Sequence, residues 1–310
     1  MSERVFDVAI VGYGPAGITA GIYTARRRLT SVLFGDIPAG EVVNSGEIEN
    51  WPGDRTTEGT VLADKMVQHV RDHSDMVTIV PKKITRVRKE EKLFQIEVED
   101  KSTYQAKTVI YATGRHPRLL NIPGEKEFKN KGVSYCANCD APLFADKTVA
   151  VIGGGDSGAE AVIMLQRIAK KVYLLHIDEK LRAEPILVDN FQQSPNVTVL
   201  TRAKTTHIFG DTFVTGLEYE DLSTGEKKSL TLDGIFVTIG AIPNTEPVSQ
   251  LVPLDEQGAV VADRYGKTSV EGFFAAGDVT DTRDAQIVVA AGQACSAALS
   301  VDDYLSRNKF

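Results

Sequence analysis

The chain has 310 residues, 42% hydrophobic and 25% charged, which is the composition of an ordinary globular protein; a single core seldom grows past about 250–300 residues, so two domains are expected. Its formal net charge is −7, from 42 acidic and 35 basic side chains, which excludes the basic footprint of a nucleic-acid binder. No apolar run approaches the roughly 18 residues that span a bilayer. The start MSERVFDVAIVG shows no basic leader and cleavage site, and three cysteines are too few for a disulfide scaffold, so a cytoplasmic protein with no membrane partner is expected.

In chain order, the first predicted strand lies in DVAIVGYGPAG (7–17), a β-branched run that breaks into G-x-G-x-x-G with Gly12, Gly14 and Gly17. The first glycine makes a tight turn, the second lets backbone approach a pyrophosphate, and the third lets the next helix pack on the strand. The helix start then offers free N–H groups to an anion. A second strand, SVLFGD, ends near Asp36, the place from which an acid reads a ribose 2′ position. TVIYATG (108–114) is a buried strand ending in glycine, and YCANCD (135–140) comes next with Cys136, Cys139 and Asp140. The first signature then repeats: TVAVIGGGDSG (148–158) carries Gly153, Gly155 and Gly158, and KVYLLHIDEKLR (171–182) supplies its second strand with Asp178 beyond. VTGLEYEDLSTGEKKSLTL (214–232) predicts a hairpin around Ser223-Thr224-Gly225, GIFVTIG (234–240) another buried strand, and IVVAAGQACSAAL a helix after Gln286. One G-x-G-x-x-G is a weak signal; two, each between strand and helix, predict two dinucleotides. The strand–glycine signals bound a middle block. The expected division is 1–114 and 245–310 as one discontinuous domain, with 115–244 inserted.

A C-x-x-C pair in such a chain points to metal or redox chemistry. Zinc needs two further ligands. The remaining cysteine is Cys295, and His69, His73, His116, His176 and His207 supply no ligand pair, His69-x3-His73 coming nearest, so no metal site is expected. A dithiol fits better. The rate of attack on a disulfide follows thiolate fraction and access. Two cysteines at a turn entering a helix can close a small disulfide, and the helix N-terminus lowers their pKa. Asp140 is placed to move a proton as a thiolate leaves. Cys295, flanked by Ala and Ser on an apolar helix, reads as core.

Taken together, VGYGPAG (11–17), ENWPG (49–53), ATG (112–114), YCANCD (135–140), GGGDSGAE (153–160) and AAGDVTD (275–281) resemble the low-molecular-weight thioredoxin reductase family of FAD-dependent pyridine nucleotide-disulfide oxidoreductases, over nearly the whole chain. The middle block is also similar to the NADH-using flavoprotein component of alkyl hydroperoxide reductase, which usually carries an extra N-terminal thioredoxin-like region; a chain without that region is expected here. The resemblance implies an α/β fold of two Rossmann-like three-layer nucleotide-binding domains, the second inserted in the first, and a homodimer. It implies that Gly12, Gly14 and Gly17 hold the FAD pyrophosphate and that Asn50 faces the flavin. Asp278 would hydrogen-bond the ribityl–phosphate region, and Gln286 would lie near the flavin ring. Cys136 would exchange with substrate, Cys139 would contact the flavin, and Asp140 would donate the proton. Electrons would pass from a donor through FAD and the dithiol to thioredoxin or a thioredoxin-like protein, with domain rotation about 115–118 and 243–246.

The sequence departs from the family at the donor site. The usual NADPH pattern is His-Arg-Arg, three residues, then Arg; here it is His176-Ile177-Asp178-Glu179-Lys180-Leu181-Arg182. The paired arginines that clamp a 2′-phosphate are gone. Asp178 and Glu179 repel a phosphate, whereas a ribose 2′-hydroxyl can donate to Asp178. NADPH is therefore expected to be a poor donor. Two readings stay open: NADH bound through Gly153, Gly155, Gly158 and Asp178, or a vestigial site fed by ferredoxin or another carrier. In the flavin-facing stretch 39–50, Glu41 replaces an amide, and Ala285 replaces the arginine before Gln286. A buried unpaired Glu41 would be costly, so it is expected to be solvated or partnered. Phe310 is either a frayed tail or an aromatic stacked over the flavin. Two other functions remain: a flavin oxidase or peroxiredoxin-system reductase, and a non-enzymatic redox sensor that keeps FAD.

Overall fold

The run DVAIVG forms the strand Val5–Val11 and SVLF forms Ser31–Phe34, both in the middle of a sheet in the computed structural model, which describes residues 4–45, 47–308 and 310. Gly46, within the flavin-facing stretch, lies outside the described residues, as do residues 1–3 of the start read as lacking a leader. The sheet order is 77–80, 31–34, 5–11, 103–111, 93–98, 84–90, with 273–275 also paired to 103–111. Strands from 77–80 to 103–111, and 273–275, run parallel; 93–98 and 84–90 add on antiparallel. A parallel strand covered on both faces reads as an unbroken apolar run, which is why these segments are legible. Their side chains alternate between two cores. Val8, Ile10, Leu33 and Ile110 pack with Ile18, Leu62 and Val301 from the helices Pro15–Arg26, Gly59–Arg71 and Ile287–Arg307. Ala9, Val11, Val32, Phe34 and Val109 face the antiparallel arm through Phe94, Ile96 and Val98.

At the end of the first strand away from its glycines, Asp7 accepts hydrogen bonds from the Thr30 N–H (2.9 Å) and hydroxyl (2.8 Å) and pairs with Lys107 at 2.7 Å. Burial works to raise the Asp7 pKa, but Lys107 and Thr30 outweigh it and hold the carboxyl below its usual range. Phe310 docks here too, its ring 6.1 Å from Tyr304 and 5.8 Å from Lys107 Nζ. That is roughly 16 Å of extended strand from Gly12. Within one chain, the Phe310 ring thus lies at the end of the sheet away from Gly12 rather than over the first glycine loop.

The inserted unit repeats the plan. Its parallel sheet runs 133–134, 234–237, 148–152, 171–175, 197–200. Val149, Val151, Leu174 and Phe236 pack on Ala161, Val162 and Leu165 of the helix Asp156–Leu165. Ala150, Ile152, Leu175 and Ile235 pack on an antiparallel meander of 203–210, 214–221 and 226–231. The predicted hairpin forms, with the Thr224 and Gly225 N–H groups donating to the Asp221 carbonyl and Gly225 at φ +75. Each unit is thus a three-layer Rossmann-like domain, and the second is inserted in the first.

The compact units are Met1–His116 with Ile242–Phe310, and Pro117–Ala241. These limits lie a few residues from the expected 115 and 244, and Asn244 gives the reason. Its N–H donates to the Gly114 carbonyl at 3.0 Å, its amide donates to the Thr113 carbonyl at 2.8 Å, and its own carbonyl accepts the Tyr111 hydroxyl at 2.7 Å. On the other side the Arg118 N–H donates to the Gly240 carbonyl at 2.9 Å. No helix among the described residues is long and apolar enough to cross a membrane.

Candidate active site

Each glycine signature builds a cradle. At Gly12 the chain takes φ +120, and a Cβ there would sit 2.1 Å from the Ala112 carbonyl oxygen; at Gly153 φ is +128 and the contact would be 2.3 Å to the Thr238 oxygen. Only glycine fits both the conformation and the space. Gly17 and Gly158 let the following helix close on its own loop, where a Cβ would lie 1.8 Å and 1.9 Å from the Gly12 and Gly153 oxygens. At the middle position there is room instead: a Cβ on Gly14 would meet nothing nearer than 4.0 Å, and one on Gly155 no described atom within 4 Å. Gly14 and Gly155 are also the N-caps of their helices, with no side-chain cap among the described residues, so the first N–H groups remain available. The Tyr13 hydroxyl, inside the first loop, is buried with no partner among the described residues. Open space, free N–H groups and an orphaned polar atom together fit a bound dinucleotide.

Around the first loop the structure joins residues far apart in sequence. The Asn50 amide donates to the Gln286 side-chain oxygen at 3.1 Å. Gln286 caps the helix Ile287–Arg307, and its carbonyl accepts the Ala290 N–H at 2.9 Å. Burial raises the pKa of Asp278, and Arg115, 4.0 Å away, only partly offsets it. Such a carboxyl is suited to receive hydrogen bonds from a polar ligand. The loop carrying Asp278 is pinned by Gln293, whose oxygen accepts the Gly277 N–H at 2.8 Å and whose amide donates to the Thr282 hydroxyl at 3.0 Å. Gln293 is two helical turns beyond Gln286 and so shares its face; that spacing was the available signal for it. Asp36 is not drawn into this group: it lies past the strand end with its carboxylate 3.3 Å from Lys83. Glu41 is exposed and has a partner, so the cost of an isolated buried carboxylate does not arise.

The cysteine pair is closed as a disulfide, Cα to Cα 5.3 Å. Cys136 is half-buried and Cys139 exposed. Cys136 caps a helical turn, Ala137–Asp140, that is followed by a 3₁₀ turn starting at Ala141. Pro142 has no N–H with which to continue the α-helix. The expected helix is thus one turn, and its dipole at the sulfurs is correspondingly small. The Cys139 and Asp140 N–H groups donate to the Cys136 carbonyl at 3.2 and 3.1 Å, which stacks Asp140 one turn above Cys136. Burial raises the pKa of Asp140, and the Ser134 hydroxyl, donating to it at 2.5 Å, pulls the other way. Behind the turn, the fully buried Glu125 accepts the Leu120 and Asn121 N–H groups at 2.8 and 2.7 Å and the Tyr135 hydroxyl at 3.0 Å. Burial and then the Glu125 charge raise the Tyr135 pKa. Sequence reasoning singled out neither Ser134 nor Glu125.

Residues 176–184 fold back over the second loop. The Arg182 and Ala183 N–H groups donate to the Gly154 carbonyl at 2.7 and 3.0 Å, and Asp156 accepts the Glu184 N–H at 2.8 Å. Asp178 is hydrogen-bonded by Arg182, and Glu179 pairs with Arg202 at 2.9 Å. The buried His176 ring lies on Gly154, its Nε2 3.4 Å from Asp178 and without a hydrogen bond among the described residues. Carboxylates here are restrained by arginines, and a buried nitrogen is unspent. Cys295, read as core, is half-buried beside the Tyr23 hydroxyl, whose pKa it raises. No cluster of three or more His, Cys, Asp or Glu able to hold a metal occurs among the described residues.

A sequence profile described as pyridine nucleotide-disulphide oxidoreductase matches residues 6–294. The F subunit of alkyl hydroperoxide reductase from Staphylococcus epidermidis is 43% identical over 303 residues, 98% of this chain and 60% of that protein. A Bacillus subtilis protein named NADH dehydrogenase is 44% identical over 306 residues, 99% of this chain and 60% of that one. The chain therefore spans 60% of the length of these two relatives. Thioredoxin reductase from Streptococcus pyogenes superposes with a TM-score of 0.93 at 35% identity, covering 99% of this chain and 100% of that one.

Proposed function

The chain belongs to the pyridine nucleotide-disulphide oxidoreductase family, and from that premise we propose that it takes electrons from NADH and delivers them, through FAD and the Cys136–Cys139 pair, to the disulfide of a thioredoxin-type protein. The observation that carries this reading is the closed bridge with a part-buried carboxyl, Asp140, stacked on the same turn. The family binds FAD. Gly12, Gly14 and Gly17 would hold its pyrophosphate, Asp278 its ribityl–phosphate region, and the Asn50–Gln286 pair would face the ring. Bound there, FAD supplies two-electron transfer between a nicotinamide and a disulfide. The chain's own residues do the rest. Gly153, Gly155 and Gly158 cradle the nicotinamide dinucleotide. Asp178, oriented by Arg182, accepts its ribose hydroxyl and repels a 2′-phosphate. Cys136 as thiolate attacks the partner disulfide, Cys139 resolves the mixed disulfide, and Asp140 holds or gives the proton at the departing sulfur. The family also suggests a homodimer, which sedimentation would test.

A second acceptor is favoured by the similarity to the F subunit of alkyl hydroperoxide reductase: the disulfide of a peroxide-reducing protein. The experiment is anaerobic spectroscopy of the FAD-loaded protein. NADH is expected to bleach the flavin and NADPH to do so far more slowly. Bleaching by neither sinks the NADH assignment and leaves ferredoxin or another carrier as donor. Thiol release from thioredoxin and from a peroxiredoxin then separates the acceptors, and Cys136→Ser must abolish both.

A further inference from the structure

Ser134 touches both ends of the redox turn. It ends the strand Val133–Ser134, is 6% exposed, and is fixed by pairing with Phe236. Its hydroxyl donates to Asp140 Oδ2 at 2.5 Å and accepts the Cys136 N–H at 3.1 Å. The Cys136 carbonyl lies 3.3 Å from the same oxygen. A serine has one proton and two lone pairs, so it can serve one of these acceptors at a time. While Asp140 is a carboxylate, the charged and nearer acceptor takes the proton. Once Asp140 is protonated, it can itself donate to Ser134, and the serine proton can turn to the Cys136 carbonyl. Neither state leaves a buried polar group unpaired, which would be costly.

We propose that Ser134 is a positioning residue for proton transfer at the dithiol: a hydroxyl rotor that holds Asp140 over Cys136 in both of its protonation states. This rests on Asp140 acting as the acid, as proposed above. Opening the bridge takes two electrons. With a small dithiol as reductant, its thiolate attacks one sulfur, the S–S bond breaks, and the other sulfur leaves as thiolate. Asp140 gives that sulfur its proton and becomes a carboxylate. The second thiol of the reductant then loses its proton to water, attacks the mixed disulfide and frees the first sulfur as thiolate, itself ending as a cyclic disulfide. Electrons and protons balance: two electrons enter, one disulfide is exchanged for another.

Around the turn, the ionisable groups among the described residues include Tyr135 and Glu125, bonded to each other at 3.0 Å, Lys129, whose Nζ lies 5.9 Å from the Tyr135 ring, and Asp156 and Glu160 on the helix packed against it. Asp140 itself responds to burial first and to Ser134 second. Burial pushes the acid up and the Ser134 hydroxyl, at hydrogen-bond distance, holds it back, so removing the hydroxyl favours the protonated form.

The test uses the FAD-loaded protein. Bridge opening by dithiothreitol is followed across pH by quenching and alkylation, corrected for the reductant's thiolate fraction. In parallel, the Asp140 carboxylic-acid band, identified by its loss in Asp140→Asn, is titrated by infrared difference spectroscopy. The rate is expected to fall as pH rises through the Asp140 pKa. In Ser134→Ala both the kinetic limb and the infrared titration are expected to move up by about 1–2 pH units, and Ser134→Thr, which keeps the hydroxyl, is expected to restore the wild-type position. Should the alanine variant fail to fold, Ser134→Val against Ser134→Thr makes the same comparison at matched shape. Unchanged titration on loss of the hydroxyl, with the limb still abolished by Asp140→Asn, overturns the role of Ser134 alone. A limb that survives in Asp140→Asn overturns the acid assignment beneath it.

Discussion

The two glycine loops share a backbone and differ in the segment beyond the second strand. In the first unit the chain runs past Phe34 to an Asp36 that pairs outward with Lys83. In the inserted unit the segment 176–184 turns back, bonds the Gly154 carbonyl twice, and sets Asp178 under Arg182. The contrast separates two jobs. In the proposed function the glycines would make room for a pyrophosphate in either loop, while the charges beyond the strand would select which dinucleotide can stay.

The largest effect that would sharpen this contrast is at Gly12. Gly12→Ala puts a Cβ 2.1 Å from a carbonyl oxygen, and the chain is expected to be recovered unfolded or without flavin, as absorbance will report. Gly155→Ala is its opposite. That residue has φ −88 and open space, so the melting temperature and flavin content are expected to hold. Flavin reduction by NADH should nonetheless fall at least about tenfold, equivalent to about 1.4 kcal/mol of lost binding. Equal behaviour of the two variants would break the distinction between a structural and a ligand-facing glycine. Next comes Asp178→Ser, which removes the repulsion and frees Arg182. The ratio of kcat/KM for NADPH to that for NADH is expected to rise about 10–100-fold, the value of one charged hydrogen bond. An unchanged ratio would move specificity elsewhere. The smallest effect expected is for Gln293→Leu, which unpins the Asp278 loop. Each of its two neutral hydrogen bonds is worth about 1 kcal/mol to the loop; with about half of that reaching the ligand, flavin should bind about fivefold more weakly by fluorescence, with nucleotide preference unaffected.

The parallel strands were legible because both faces are buried: Val5–Val11, Thr148–Ile152 and Gly234–Val237 are nearly unbroken apolar runs. The antiparallel arm was not. Ile84–Glu90 is mostly exposed and reads as polar, so no periodic signal marks it as a strand. The cysteine pair and its neighbouring acid announced themselves by spacing, but the helix expected after them is cut to a turn by Pro142. Ser134 and Glu125 were not picked out because their partners, though close in sequence, are gathered by irregular turns that follow neither helical nor strand spacing. Asn50 and Gln286 were expected near the same ring, and the structure adds their mutual hydrogen bond across 236 positions.

The clamp at Asp7 bears on how such a protein is handled. A carboxyl with a lowered pKa contributes stability above the unfolded value, near 3.9, and loses it as pH falls through the folded one. Asp7 secures the strand that leads into Gly12, and the inserted unit has no share in it. An acidic elution step is therefore expected to strip colour first, leaving an intact cystine on a pale protein that a hurried chemist would file among enzymes with no prosthetic group.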